Sequence, residues 1–96
     1  MYAHFETGST DAMPIAPTLA DGVSGNIEKA SITWQLCRQL VDEVVLVEED
    51  AIADAMRWAL EVPHTLLEGS AVLGIAALRA GAVDVTDRNV AIVTTG

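Results

Sequence analysis

Glu68 is the side chain whose setting points most directly to chemistry. It is the only charged residue within the apolar segment 66–78. A carboxyl group in apolar surroundings suits a proton donor or an orienting hydrogen-bond acceptor. The other interpretation is an acid at the N-terminus of a helix, where the helix dipole favours negative charge. The sequence leaves both interpretations open.

Two other places carry groups suited to a binding site. Gly22, in an irregular stretch, would allow the backbone to approach a ligand closely, whereas the preceding Asp21 can simply tie a turn with its own side chain. Thr95 offers a hydroxyl near the last residue. Composition alone favours reading Thr95 as a polar residue that ends a strand.

Histidine and cysteine do not suggest a reactive centre. His64 follows Pro63 between two predicted helices, a position typical of a surface or capping residue and less so of an acid–base group. Cys37 is the only cysteine, so no internal disulfide can form. With just two histidines beside it, a Cys/His metal framework is not expected. The sequence predicts no metal site.

The elements that must position these groups begin with helices and one apolar run. A short helix closed by Gly8 is followed by a loop up to about residue 30, and helical spacing of apolar residues then predicts a helix from Ser31 to about Val41. Residues 44–47 (VVLV) read as a strand buried on both faces. The acids at 48–50 open the next helix, which ends at Pro63.

The remaining elements complete an α/β order. Residues 66–80 are apolar almost all round, which predicts a protein-covered helix stopped by Gly81, and 90–93 (VAIV) reads as a second buried strand. We therefore expect one domain over 1–96, with 1–30 mostly loop and 31–96 arranged helix–strand–helix–helix–strand. Two buried strands are too few for an independent parallel sheet, so the chain reads as part of a larger one.

Charge and hydropathy narrow the class of partner. The net charge is −9, with five scattered basic residues, which argues against nucleic acid and anionic membranes as partners. No secretion signal or membrane-spanning stretch is evident, so a cytoplasmic protein is expected. Because 51% of the residues are hydrophobic in so short a chain, we expect an uncovered apolar face and hence a homo-oligomer or other self-association.

Five segments, in this order, carry a family resemblance. They are 18–23 (TLADGV), 31–33 (SIT), 41–47 (VDEVVLV), 66–69 (LLEG) and 93–96 (VTTG). Together they resemble the segments T-[IL]-A-D-G-[LV], S-[IV]-T, V-D-[DE]-[IV]-[VF]-x-V, L-[LIV]-E-[GP] and the start of V-[LIV]-S-G-G-N of threonine/serine dehydratases that depend on pyridoxal phosphate (PLP). The resemblance covers essentially the whole chain.

The resemblance implies an α/β enzyme of PLP fold type II, of which this chain would be the C-terminal part of the large catalytic domain. The family eliminates water from L-threonine or L-serine and releases a 2-oxo acid and ammonia, with PLP as electron sink. Serine racemase belongs to the same group and is an alternative. A second alternative is a non-catalytic acidic α/β module that survives by oligomerisation.

The resemblance also assigns roles to single residues. Thr95 would hydrogen-bond the pyridine nitrogen of PLP, Gly22 would line the cofactor, and Glu68 and Asp21 would lie at the edge of the active site. The family's Schiff-base lysine, phosphate loop and metal ligands have no match here, and Lys29, the only lysine, falls in a loop where the family has no cofactor lysine. We therefore expect the chain alone to hold no catalytic residue, bind no PLP and be inactive.

Overall fold

A computed structural model describes all 96 residues and contains four α-helices. They are α1 (Tyr2–Thr7), α2 (Ile32–Leu40), α3 (Glu49–Glu61) and α4 (Leu73–Arg79), with a 3-10 turn at Asp21–Val23. The longest, α3, has 13 residues. None of the helices combines the length and apolarity needed to cross a bilayer.

The ends of the first two helices follow the local sequence signals. Gly8 takes the left-handed conformation (φ 68°) and its N–H donates to the His4 carbonyl, which closes α1. The Ser31 hydroxyl accepts a hydrogen bond from the Trp34 N–H at 3.4 Å, which caps α2. The prediction of a short helix ending at Gly8 and of a helix starting after Ser31 is confirmed.

The two helices of the second half pack on each other. α3 ends before Pro63 as predicted, where His64 has a positive φ of 56° and the Thr65 N–H donates to the Ala59 carbonyl at 2.8 Å. α4 ends at Arg79, and Gly81 (φ 66°) follows its C-cap Ala80, so the predicted stop at this glycine is confirmed. The buried core lies mainly between these helices and consists of Ala20, Ile52, Ala55, Ala59, Val72 and Ala76. Alanines at the contact let the helices approach closely.

The predicted helix over 66–80 begins too early. α4 starts only at Leu73, and residues 69–72 form turns. The Glu68 N–H donates to the Gly96 carbonyl, so it is not available for the helical bond to the residue four positions earlier.

The two predicted strands do not form β-structure in this chain. No backbone–backbone hydrogen bond involves 44–47 or 90–93, and no strand is present. A strand exists only through backbone hydrogen bonds to a neighbouring strand, and neither run makes any. The α/β order predicted from the sequence is therefore not confirmed at its strands, and the chain is helical with long irregular connections.

The first half of the chain has a smaller cluster around Trp34. Phe5 and Trp34 meet edge to face with ring centroids 5.5 Å apart, and the buried His4 ring lies 6.3 Å from Trp34. The Arg38 guanidinium lies over the Trp34 ring at 5.8 Å. This cluster joins α1 to α2.

Candidate functional site

Two turns that contain candidate residues pack directly against each other. The first, residues 18–22, runs into the 3-10 turn; the second, residues 68–71, is closed by the Ala71 N–H donating to the Glu68 carbonyl at 3.1 Å. Gly69 lies so close to the 18–22 turn that a Cβ there would be 2.0 Å from the Leu19 carbonyl oxygen. The two backbones are therefore in direct contact, which only glycine at position 69 permits.

Gly22 makes the reciprocal contact. A Cβ at this position would lie 2.7 Å from the Ser70 Oγ and 3.2 Å from the Glu68 Oε1. The oxygens of both side chains therefore point at the same small space beside Gly22. The sequence placed Gly22 and Glu68 at one site, and the structure brings them together.

The last residues of the chain reach the same place. The Glu68 N–H donates to the carbonyl of Gly96 at 3.4 Å, which places Thr95 one residue from the 68–71 turn. Thr95 itself is exposed, as are Asp21 and Gly22. The four candidate residues thus lie on three segments that meet at one edge of the molecule.

Glu68 does not have either setting considered from the sequence. Its side chain is exposed, so it is not a carboxyl group in apolar surroundings. It also precedes α4 by five residues and therefore lies outside the first helical turn, where the dipole acts. Its position is set instead by the 68–71 turn and by Gly96.

Glu49 fixes the 18–22 turn to the N-terminus of α3. Its carboxylate accepts hydrogen bonds from the Leu19 N–H at 2.8 Å and from the Thr18 hydroxyl. These bonds, the backbone one above all, hold the pKa of Glu49 below its ordinary 4.5. An ionised carboxylate is the stronger hydrogen-bond acceptor, so these bonds are strongest when the pH lies above the pKa of Glu49.

Sequence reasoning missed three residues of this site. Gly69 stood within a motif but was not assigned a contact, Ser70 carried no signal, and Glu49 was interpreted only as an acid near a helix dipole. Glu49 bonds to Thr18 and Leu19, about thirty residues earlier, and residue spacing alone does not predict such a contact. Each of these roles depends on which turn folds onto which.

Residues set aside from the sequence remain apart from the turns. Lys29 is highly exposed and its Nζ lies 4.0 Å from the Asp11 carboxylate. His64 is exposed and its Nδ1 lies 3.2 Å from the Leu60 carbonyl oxygen, as in a helix cap. No three His, Cys, Asp or Glu side chains are grouped as a metal site.

The whole sequence, residues 1–96, matches the family described as pyridoxal-phosphate dependent enzymes. The chain belongs to this family. The resemblance drawn from the five segments is thereby confirmed.

Among members of the PLP-dependent family, several relatives act on hydroxy amino acids according to their names. The chain is 36% identical to an L-threonine ammonia-lyase of Thermotoga maritima over 100% of this chain and 23% of the relative. It is 42% identical to an L-threonine ammonia-lyase of Geobacter sulfurreducens over 79% of the chain and 19% of the relative. It spans 29% or less of the length of such relatives.

A solved PLP-dependent structure has the same fold over most of the chain. Maize serine racemase superposes with a TM-score of 0.69 at 33% identity, covering 78% of this chain and 23% of that protein. The arrangement of helices and turns is thus that of a fold-type-II enzyme. The strands expected from the sequence still have no pairing partner among these 96 residues.

Asp21, Gly22, Glu68 and Thr95 are the residues here that would face PLP if the cofactor were bound at these turns. Carboxylates at Asp21 and Glu68 would repel the phosphate group but suit a polar or hydrogen-bond-donating edge. The Thr95 hydroxyl can donate or accept a hydrogen bond, and Gly22 leaves its backbone uncovered. Were PLP bound here, these groups would suit its ring better than its phosphate.

Proposed function

We propose that this chain supplies the ring-facing wall of the PLP site in a threonine/serine dehydratase. The observation that carries the proposal is the meeting of the 18–22 turn, the 68–71 turn and the 95–96 segment at one edge of a chain that belongs to the PLP-dependent family. Relatives named L-threonine ammonia-lyase support the substrate class. The reaction removes water from L-threonine or L-serine and, after hydrolysis, gives a 2-oxo acid and ammonia.

Thr95 is the residue of this chain that addresses the pyridine nitrogen. A neutral hydroxyl can donate a hydrogen bond to an unprotonated ring nitrogen, whereas a carboxylate there would hold the nitrogen protonated. When bound, PLP supplies an electron sink for negative charge at the substrate α-carbon. Through this hydrogen bond, Thr95 sets how much negative charge the ring accepts. Gly22 and Glu68 line the space around the ring.

A serine racemase is the second candidate within the same family. The structural match to maize serine racemase and a relative of that name in Arabidopsis thaliana, 35% identical over 74% of this chain, favour it. Both candidates need the same ring-facing wall. They differ in the fate of the substrate hydroxyl, which the residues at these two turns do not determine.

These 96 residues by themselves are proposed to be inactive. The only lysine, Lys29, is exposed and faces Asp11, so no amine is placed at the two turns to bind the cofactor covalently. The same reasoning makes stable PLP binding by the chain alone unexpected. Glu68 and Thr95 can hydrogen-bond a cofactor, but neither has the amine that a covalent bond to PLP requires.

Replacing Thr95 tests the proposal. In the complete gene product that carries these residues, we expect Thr95→Ala to change the visible spectrum of bound PLP and to lower 2-oxo acid formation from L-threonine or L-serine. Thr94→Ala, at the neighbouring exposed threonine, is the matched control and should leave both unchanged. Equal behaviour of the two variants would exclude Thr95 as the ring contact.

A further inference from the structure

Ser70 carries a polar atom for which the chain provides no partner. Its Oγ is inaccessible to solvent and makes no hydrogen bond. A hydroxyl offers one donor and two acceptor sites, and leaving all of them unused in the interior is unfavourable. No other side-chain oxygen or nitrogen of the molecule is in this condition.

The Glu68 carboxylate is a strong acceptor that faces the same point of space as the Ser70 hydroxyl. The Ser70 Oγ and the Glu68 Oε1 lie 2.7 and 3.2 Å from one point, the position that a Cβ would occupy at Gly22. Hydrogen bonds to a carboxylate are stronger than those between neutral groups. Because position 22 carries no side chain, nothing of residue 22 stands between the two oxygens at that point.

We propose that Ser70 is a positioning residue that donates a hydrogen bond to Glu68 across the gap left by Gly22. Glu68 has a flexible, exposed side chain and needs such a bond to hold one orientation. Both residues belong to the 68–71 turn, and the side-chain oxygens of both face Gly22. The consequence for a cofactor rests on the function proposed above, but the hydrogen bond itself does not.

This arrangement gives Gly22 a second reason to be glycine. Its φ is not in the left-handed region, so backbone conformation does not demand glycine there. A methyl group at position 22 would instead fill the space in which the two side chains meet. Gly22→Ala and Ser70→Ala should therefore have the same effect on Glu68.

Carbon-13 NMR of this chain labelled at the glutamate carboxyl carbons tests the hydrogen bond. The Glu68 resonance is assigned by its loss in Glu68→Gln and then followed at one neutral pH. We expect Ser70→Ala to move it, Ser70→Thr to restore it, and Gly22→Ala to move it in the same direction without adding to Ser70→Ala. Ser24→Ala, on an exposed serine beside the 3-10 turn, is the control and should not move it.

Two results would overturn the inference. One is an unchanged Glu68 resonance in Ser70→Ala; the other is an equal shift in Ser70→Ala and Ser70→Thr. The amide spectrum of each variant shows whether the fold is kept, and Ser70→Thr retains the hydroxyl should Gly22→Ala unfold the chain. A complete gene product inactive on threonine and serine would refute the proposed function but leave a shifted resonance, and hence the hydrogen bond, in place.

Discussion

Glycines in this chain serve two different physical purposes. Gly8 and Gly81 have φ values of 68° and 66°, so they end helices in a conformation that other residues adopt only with strain. Gly22 and Gly69 have no such φ: at Gly69 the Leu19 backbone occupies the position of a Cβ, and at Gly22 a Cβ would meet the side-chain oxygens of Ser70 and Glu68. The candidate site therefore depends on the absence of two side chains.

Gly69→Ala should be strongly destabilising. The added methyl group meets the Leu19 backbone at 2.0 Å, and backbone cannot yield as a flexible side chain can. Overpacking of this kind costs roughly 1–3 kcal/mol, which urea unfolding of the purified chain would measure.

The control is Gly25→Ala, where nothing lies within 4 Å of the new methyl group and φ is not positive. That substitution should be neutral or stabilising by about 0.4–1 kcal/mol, through the unfolded state. Equal free energies of unfolding for the two variants would mean that the turns do not pack as described.

The family resemblance predicted part of the site, and its tightest contacts were not predictable. The resemblance alone assigned Gly22 and Glu68 to the same site. Ser70 and the contact of Gly69 with Leu19 arise from two turns nearly fifty residues apart in sequence. No local pattern encodes such a contact.

At the scale of helices and loops, α3 holds the candidate site through its first residue. Glu49 binds the backbone of Leu19 and the hydroxyl of Thr18, while the body of α3 packs on α4 through alanines. One helix thus ties the 18–22 turn to the core. Removing the Glu49 carboxylate should therefore loosen the 18–22 turn.

Glu49→Gln should reduce stability at neutral pH but not in acid. The pKa of Glu49 is lowered in the folded chain, so its contribution is present above the ordinary value of 4.5 and is lost as the pH falls through the folded pKa. Melting temperatures of both proteins, followed by circular dichroism, should therefore converge as the pH drops below 4.5.

Glu48→Gln is the matched control, since the neighbouring Glu48 makes no side-chain capping bond. It should leave the melting temperature close to that of the natural sequence at neutral pH. A Glu49→Gln deficit that persists undiminished in acid would show that the ionised carboxylate is not the source of the stabilisation.

Helix ends could be predicted from sequence and strands could not, for a physical reason. The caps at Gly8, Ser31 and Gly81 use atoms within a few residues of each other. A strand needs backbone hydrogen bonds to a separate segment, and residues 44–47 make none. The β-branched run indicates a preference that only a neighbouring strand can satisfy.

The molecule as a whole is more open than an independent domain of its mass. Its accessible surface is 6997 Å², against roughly 5,300 Å² for a folded monomer of 10.1 kDa. Its radius of gyration is 14.2 Å, against about 12.5 Å for a domain of this length. Only 11 of 96 residues are buried, so much apolar surface is uncovered.

Self-association of the purified chain is the expected consequence. Exposed apolar side chains include Ile32, Leu36 and Leu40, spaced four residues apart along α2 with 70%, 47% and 74% of their surface exposed. Sedimentation velocity should show the mean mass rising with protein concentration. The double substitution Leu36→Lys and Leu40→Lys should weaken this rise. A monomer at every concentration would contradict this expectation.

The most direct test of the central claim, that these residues form the part of a PLP site that does not bind the cofactor covalently, is a titration of the purified chain with PLP. Absorbance is followed in the visible region before and after borohydride reduction, with Lys29→Arg as the control variant. We predict no saturable band that reduction fixes to the protein. A saturable, reducible band that disappears in Lys29→Arg would place a covalent cofactor site at Lys29 and contradict the account.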